Sequence, residues 1–312
     1  MNKLWYIKLK EQIEFDKKQY TNINKKDFDK LNKSNKHIKI IIKNNNIINK
    51  NIPKNDIQNR IQKIYKLIEL TIKFSNKHKL KKINGIFFFR IADGYTYDIN
   101  YPVFNYSKPK NKKGFLFPDF NFLDFKKKLK IFKNNCNSKK NNKIYFRGTN
   151  TDKTAKLRYK LSKLNEPFDI KIVTKFVPFY NLCKYKYVLD LPGRKPWSVR
   201  LIELYMSKSL PIRILFYYSK WNEDIWVQFY NRMFIEWKNY IPLKYDLNYN
   251  KEINNNIINH IKKQCLEIYN FFNNNKLYNK IIKQNYKIIN SLTMNHIEFY
   301  MYYSLISYSE LI

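Results

Sequence analysis

The chain reads as an α/β protein. Two segments repeat a strand–turn–helix pattern, at 144–161 and 184–206, and the second leads into a further strand-like run, SLPIRILFYY. Alternating strands and helices of this kind argue for a largely parallel sheet covered by helices. From about residue 255 the apolar residues change to helical spacing, with Ile257, Ile261, Cys265, Ile268 and Phe272 on one face. With 312 residues and 44% hydrophobic content the chain is long enough for one large or two medium domains.

Residues 1–55 are rich in Lys and Asn with short apolar islands (LWYI, IKIII, NNIIN), which are read as a strand or two. Within them KNNNIINKNIPKND is low in complexity and is expected to be an exposed loop. Asp56 is placed to cap a helix carrying Ile57, Ile61, Ile64, Leu67 and Ile68. INGIFFFRIADGY predicts a buried strand that stops at Asp93-Gly94. YPVFNYSK and KGFLFPDFNFLDF predict short strands or ordered loops, and FKKKLKIFKNN a helix with its lysines outward. The polar stretch 137–143 is the expected boundary. It divides the chain into 1–140, 141–255 and a helical tail, 256–312.

In the second part, IYF precedes Arg147-Gly148-Thr149 and a basic helix, and DIKIV reads as a strand. KYKYVLDL is a strand stopped by Pro192-Gly193, and Ser198-Val199-Arg200 opens the helix LIELYM. WNEDIWVQFYNRMF is expected to be a helix, YIPLKYD a strand, and 276–309 one further long helical segment.

Net charge is +37, which by itself suggests a polyanion partner. The excess comes with Asn, Ile, Tyr and Phe while Gly and Pro are scarce, and all of the favoured residues have A/T-rich codons. Codon bias therefore accounts for the charge, and nucleic acid is not the expected partner. Three distant cysteines (Cys136, Cys183, Cys265) build no full disulfide framework and no metal spacing, which favours a reducing compartment. The N-terminal MNKLWYIKLKEQ has no uninterrupted apolar stretch, and no run approaches the roughly 18 residues of a membrane span. A cytoplasmic location without signal peptide or transmembrane segment is expected.

Three constellations can carry chemistry. Gly193, Ser198 and Arg200 lie where a strand gives way to a helix, and backbone N–H groups, a hydroxyl and a guanidinium suit a phosphate there. Arg147-Gly148-Thr149 repeats the theme, Gly allowing close approach and Arg and Thr supplying donors. Asp93 ends an apolar strand, where burial can raise a carboxylate's pKa and make it a general base; Asp98 is the alternative. Taken singly, each has a plain structural explanation: a Ser N-cap, a turn glycine beside a solvated Arg, and an Asp-Gly turn.

Taken in order, these stretches resemble glycosyltransferase family 90, which includes the Rumi-like protein O-glucosyltransferases, capsule-associated proteins and lipopolysaccharide-modifying enzymes. The resemblance rests on FFFRIAD, PVFNYSK, FLFPDFNF, YFRGTNT, CKYKYVLDLPGRKPWSVR and EWKNYIPLKYD, between about 84 and 250. The chain departs from the family in having Gly94-Tyr95 after Asp93, where members usually have Pro shortly after the acid. The resemblance implies a GT-B-like fold, with two Rossmann-like halves around a cleft and a C-terminal helix returning to the first half. It implies inverting transfer from a UDP-sugar, commonly UDP-glucose or UDP-xylose, to a hydroxyl of a protein or glycan acceptor. No bound cofactor and no metal is required. By position, Asp93 would be the base, Arg147, Gly148 and Thr149 the donor loop, and Ser198 and Arg200 the diphosphate pair. The competing readings are a non-catalytic glycosyltransferase-like scaffold and a basic nucleic-acid-binding protein.

Overall fold

The computed structural model describes residues 2–49, 58–92, 94–97, 99–149, 155–175, 177–191, 200–219, 222–247, 255–273 and 275–312. The chain forms two units. The first comprises Met1–Phe125, Val227–Met233 and Leu292–Ile312; the second, Lys126–Trp226 and Phe234–Ser291.

The first unit begins with a helix, α1 (Asn2–Lys18), where the sequence reading expected a strand. Trp5, Leu9, Gln12, Ile13 and Asp16 are buried at helical spacing, and this periodicity outweighs the short apolar run LWYI. Asn24 caps α2 (Lys25–Asn32) by accepting from the Lys26 N–H at 3.0 Å. In β1 (His37–Lys43), Ile38, Ile40 and Ile42 alternate inward, as a sheet with one buried face requires. The helix expected after residue 56 is α3 (Gln58–Lys77), with Ile61, Ile64, Leu67 and Ile68 buried. Asp56 lies outside the described residues.

β2 (Asn46–Ile47), β3 (Gly85–Arg90), β4 (Phe104–Asn105) and β6 (Phe115–Leu116) join β1 in the order β2-β1-β3-β4-β6, with β5 (Lys108–Pro109) outside that sheet. β1 runs antiparallel to β3, so this sheet is mixed and not the parallel sheet of a Rossmann-like half. The last helix of the chain, α9 (Met294–Ser309), belongs to this unit. Its Tyr308 hydroxyl donates to the Pro102 carbonyl (2.7 Å) and accepts from the Phe88 N–H (3.3 Å).

The second unit contains α4 (Phe125–Asn135) except its first residue, so the units divide about eleven residues before the polar stretch 137–143. Its sheet is parallel throughout: β7 (Asn141–Gly148), β8 (Phe168–Ile172), β9 (Tyr185–Asp190), β10 (Leu210–Tyr217) and β12 (Ile241–Asp246), in the order β12-β10-β9-β7-β8. α5 (Ala155–Leu161), α6 (Leu201–Met206), α7 (Asn255–Asn273) and α8 (Leu277–Ser291) accompany it. Ile144, Phe146, Leu157, Leu189, Ile212, Ile261 and Cys265 are among its core residues. Each large apolar side chain so buried contributes roughly 1.5–3 kcal/mol.

Three further expectations are corrected. WNEDIWVQFYNRMF is not a helix: its described part holds only the two-residue strand β11 (Trp226–Val227) and a single 3-10 turn, Asn231–Met233. Trp226, Phe229, Tyr230 and Met233 are buried at the i, i+3, i+4, i+7 spacing of a helix, so the apolar pattern imitates a helix that the backbone does not form. The segment 276–309 is two helices, broken at Leu292-Thr293, where Thr293 and His296 form a reciprocal cap. Cys136 and Cys183 form a disulfide with Cα atoms 4.7 Å apart, and Cys265 is a buried free thiol. The pairing joins the end of α4 to the turn before β9 across a separation of 47 residues, which linear spacing does not reveal. It removes the ground for assigning a reducing compartment. No helix among the described residues is long and apolar enough to cross a membrane.

Candidate functional site

Relative to the order of its strands along the chain, the second sheet runs 2-1-3-4-5. From β7 the chain passes through α5 to β8 on one side, while β9, β10 and β12 build out on the other. Neighbouring crossovers leave in opposite directions between β7 and β9. In open α/β sheets a crevice forms there, outside the carboxyl ends of the strands, and ligands bind in it.

A pocket of about 360 Å³ lies at this edge. Arg147, Gly148 and Thr149 at the end of β7 form one side, the segment Val173–Lys175 after β8 another, and Phe179 and Arg200 contribute further wall. The pocket is mainly apolar with a few polar groups at one end, a usual composition for a small-molecule site.

Two arginines meet beside the pocket, Arg200 half-buried on its wall and Arg158 buried outside the lining. Arg200 immediately precedes α6, and its guanidinium donates to the main-chain carbonyls of Arg147 (3.2 Å) and Leu191 (3.0 Å). Arg158, from α5, is only 3% exposed and donates to the carbonyls of Thr149 and, at 3.3 Å, Leu191. Both guanidiniums lie against the Phe146 ring, at 5.2 Å for Arg158 and 4.7 Å for Arg200. Burial, and then the neighbouring Arg200, lower Arg158 to about 10; burial also lowers Arg200. Guanidiniums stay protonated in proteins, so two cations sit side by side at the ends of β7 and β9.

Gly148 makes this proximity feasible. A Cβ there would stand 2.7 Å from Phe146 Cζ and 3.3 Å from Arg200 Nη1. The glycine therefore admits the protein's own ring and guanidinium.

Two acids among the described residues stand near these cations. Asp190, at the end of β9, accepts from Arg213 Nε at 3.1 Å, and its second carboxylate oxygen has no hydrogen bond among the described residues. Glu203 pairs with Lys128. Among the described residues, Arg158, Arg200, Arg213 and Lys128 gather near Asp190 and Glu203, a concentration of cationic groups that suits an anionic ligand.

Arg147 plays a different part. Its guanidinium binds the Asp169 carboxylate at 2.7 Å and the Asp169 carbonyl at 2.6 Å, and lies 4.5 Å from the Tyr145 ring centre. The Tyr185 hydroxyl donates to the other Asp169 oxygen at 2.7 Å. Burial pushes the Asp169 carboxyl up, but the bonds from Tyr185 and Arg147 outweigh it and hold the group below its usual range. With its charge matched by Asp169, Arg147 secures β7 to β8.

Of the residues expected from sequence, Arg147, Gly148, Thr149 and Arg200 come together here, Thr149 exposed at the mouth. Asp93, Asp98, Gly193 and Ser198 lie outside the described residues. The helix expected to supply a dipole is α6, with six residues and no side-chain cap bond, so aligned peptide dipoles add little; the positive charge comes from the guanidiniums. Arg158 was missed by the sequence reading. A signal was present: the chain has only eight arginines among its 61 basic residues, and Arg158 follows Leu157 in an otherwise lysine-bearing helix. A composition that favours Lys and yet holds Arg at one position points to forked hydrogen-bonding geometry.

Among the described residues, no group of three or more His, Cys, Asp or Glu side chains is arranged to hold a metal ion. Compared with protein-family models and with curated proteins, the chain has no match.

Proposed function

We propose that the second unit binds the diphosphate of a nucleotide sugar and that the chain is an inverting glycosyltransferase acting on a hydroxyl of a protein or glycan. The observation that carries this reading is Arg200 on the wall of a pocket at the switch point of a parallel sheet, with the buried Arg158 beside it. A diphosphate offers the concentrated negative charge and fork-shaped oxygen geometry that two guanidiniums recognise. The apolar remainder of the pocket provides room for a base and ribose.

In transfer, a base takes the proton of the acceptor hydroxyl and that oxygen bonds to the anomeric carbon from the face opposite the leaving group. The bond from the anomeric carbon to the phosphate oxygen breaks, and its electron pair stays on the diphosphate. Arg158 and Arg200 meet the growing charge there without rearranging, since carbonyls already hold them in place. Asp93 is the base in this reading and Asp98 the alternative; both assignments stand on the sequence.

Calorimetry with UDP, UDP-glucose and UMP tests the binding step. Diphosphates are expected to bind more tightly than UMP, and Arg158→Ala and Arg200→Ala to weaken them selectively. Equal weak binding of all three would overturn the assignment of the pocket. Sugar turnover by Asp93→Asn tests the catalytic step separately: activity equal to wild type would remove Asp93 from the mechanism.

A further inference from the structure

The parallel sheet has an opposite edge, where its strands begin. Lys139 and Lys140 stand before β7, Lys184 before β9, Lys208 before β10 and Lys238 before β12. Parallel strands share a direction, so these positions collect on one side, away from the pocket.

Contacts join them into a continuous face. Lys140 Nζ donates to the carbonyls of Cys183 (2.6 Å) and Ser207 (3.0 Å). Lys208 donates to Asn137 Oδ1 at 3.2 Å and lies 4.5 Å from the Tyr286 ring centre. The adjacent Asn285 exchanges two bonds with Asn239, at 2.7 and 2.6 Å. Asn239 in turn accepts from the Ile235 N–H at 2.8 Å, closing the turn before β12. Among the described residues no carboxylate pairs with Lys139, Lys184, Lys208 or Lys238, while Glu236 on the turn is matched by Lys244.

This turn holds Trp237 in the left-handed region, at φ 63°, where a bulky side chain is a genuine outlier. Its N–H donates to the Tyr240 carbonyl at 2.8 Å, so the conformation is held firmly. Yet Trp237 is 60% exposed and Ile235 is 50% exposed. Backbone strain here presents an aromatic and an aliphatic side chain to solvent beside unmatched lysines, and strain that brings no burial points to an external partner.

We propose that this edge docks on an anionic membrane surface, with Trp237 and Ile235 entering the headgroup region and the lysines facing acidic lipids. Trp is favoured at membrane interfaces because its ring is apolar and its N–H polar. Lysines attract an anionic leaflet as mobile point charges. Nucleic acid would be better served by arginine forks and a groove for stacked bases. The inference does not depend on the transferase reading, and it orients the pocket edge of the sheet away from the bilayer.

Co-sedimentation of the full chain with vesicles of phosphatidylcholine, with and without phosphatidylserine, is the test. Binding is expected only with phosphatidylserine, and Trp237→Ala should lower the partition coefficient roughly tenfold or more. Trp237→Phe should keep most of it, and Lys184→Glu with Lys238→Glu should weaken it further. Trp237→Gly relieves the left-handed backbone, so it should lose partition while keeping or raising the thermal midpoint. Absence of binding to phosphatidylserine vesicles at low salt would overturn the proposal. So would partition unchanged in Trp237→Gly, which would mark a general charge effect, or equal Trp237-dependent binding to RNA.

Discussion

The two units bury charge in opposite ways. In the first, Asp16 and Lys108 form an ion pair at 3.0 Å, both side chains fully buried. Lys108 also donates to Gln19 Oε1 and the Lys112 carbonyl, and Asp16 accepts from Gln12 and the Leu116 N–H. Burial pushes the carboxyl up and the ammonium down, each opposed by the other's charge. The same unit keeps His37 neutral: its ring nitrogens meet the Ser34 and Thr96 hydroxyls, and burial with the charge of Arg90 lowers it to about 4. In the second unit Arg158 and Arg200 donate to main-chain carbonyl oxygens and lie against one aromatic ring. A closed ion pair has the requirements of a scaffold, whereas two neighbouring guanidiniums on carbonyls at a pocket suit a ligand that brings negative charge. Lys108, the lysine of PVFNYSK, thus belongs to architecture, although its motif contributed to the family resemblance.

The contrast can be broken by substitution. Asp16→Asn or Lys108→Met should each destabilise the protein by about 3–5 kcal/mol in denaturant unfolding, because one buried charge is left alone. Replacing both with apolar residues should restore most of that loss. A single substitution as damaging as the double one would show instead that packing dominates there.

Arg158→Ala and Arg200→Ala should reduce diphosphate affinity on the order of 10²-fold by calorimetry, with a smaller loss of thermal midpoint. Arg200→Lys should not recover it, since an ammonium cannot span two carbonyls and a ligand oxygen in the same plane. Gly148→Ala should lower stability by about 1–3 kcal/mol, as its methyl displaces the Phe146 ring, and should weaken the ligand through Arg200. The smallest effect concerns His37. Its folded pKa, about 4, is below the ordinary 6.5, so its contribution to stability is complete above pH 6.5 and declines as pH falls toward 4. His37→Gln should flatten that part of the stability–pH curve measured by urea unfolding.

The site was legible in part. Arg147-Gly148-Thr149 and Arg200 stood out because glycine and arginine follow strand signals, and local rules govern strand ends. Arg158 did not, because its importance arises from convergence with Arg200 on the Leu191 carbonyl, and they are 42 residues apart. Arg147, expected as a donor residue, lines the pocket and is also held by Asp169, a pairing across 22 residues that spacing does not reveal.

The sequence alone located the strands of the second unit's parallel sheet. Hydrophobic periodicity and turn residues located β7, β8, β9, β10 and β12, and the βαβ pattern followed, because periodicity, turn chemistry and crossover handedness are short-range. Tertiary structure decided what spacing along the chain does not encode. It set β1 antiparallel to β3, joined Cys136 to Cys183, and divided the C-terminal helices between the units. It also set Arg147 against Asp169 and Arg200 beside Arg158, because a charge acquires its role from the neighbours that packing brings to it.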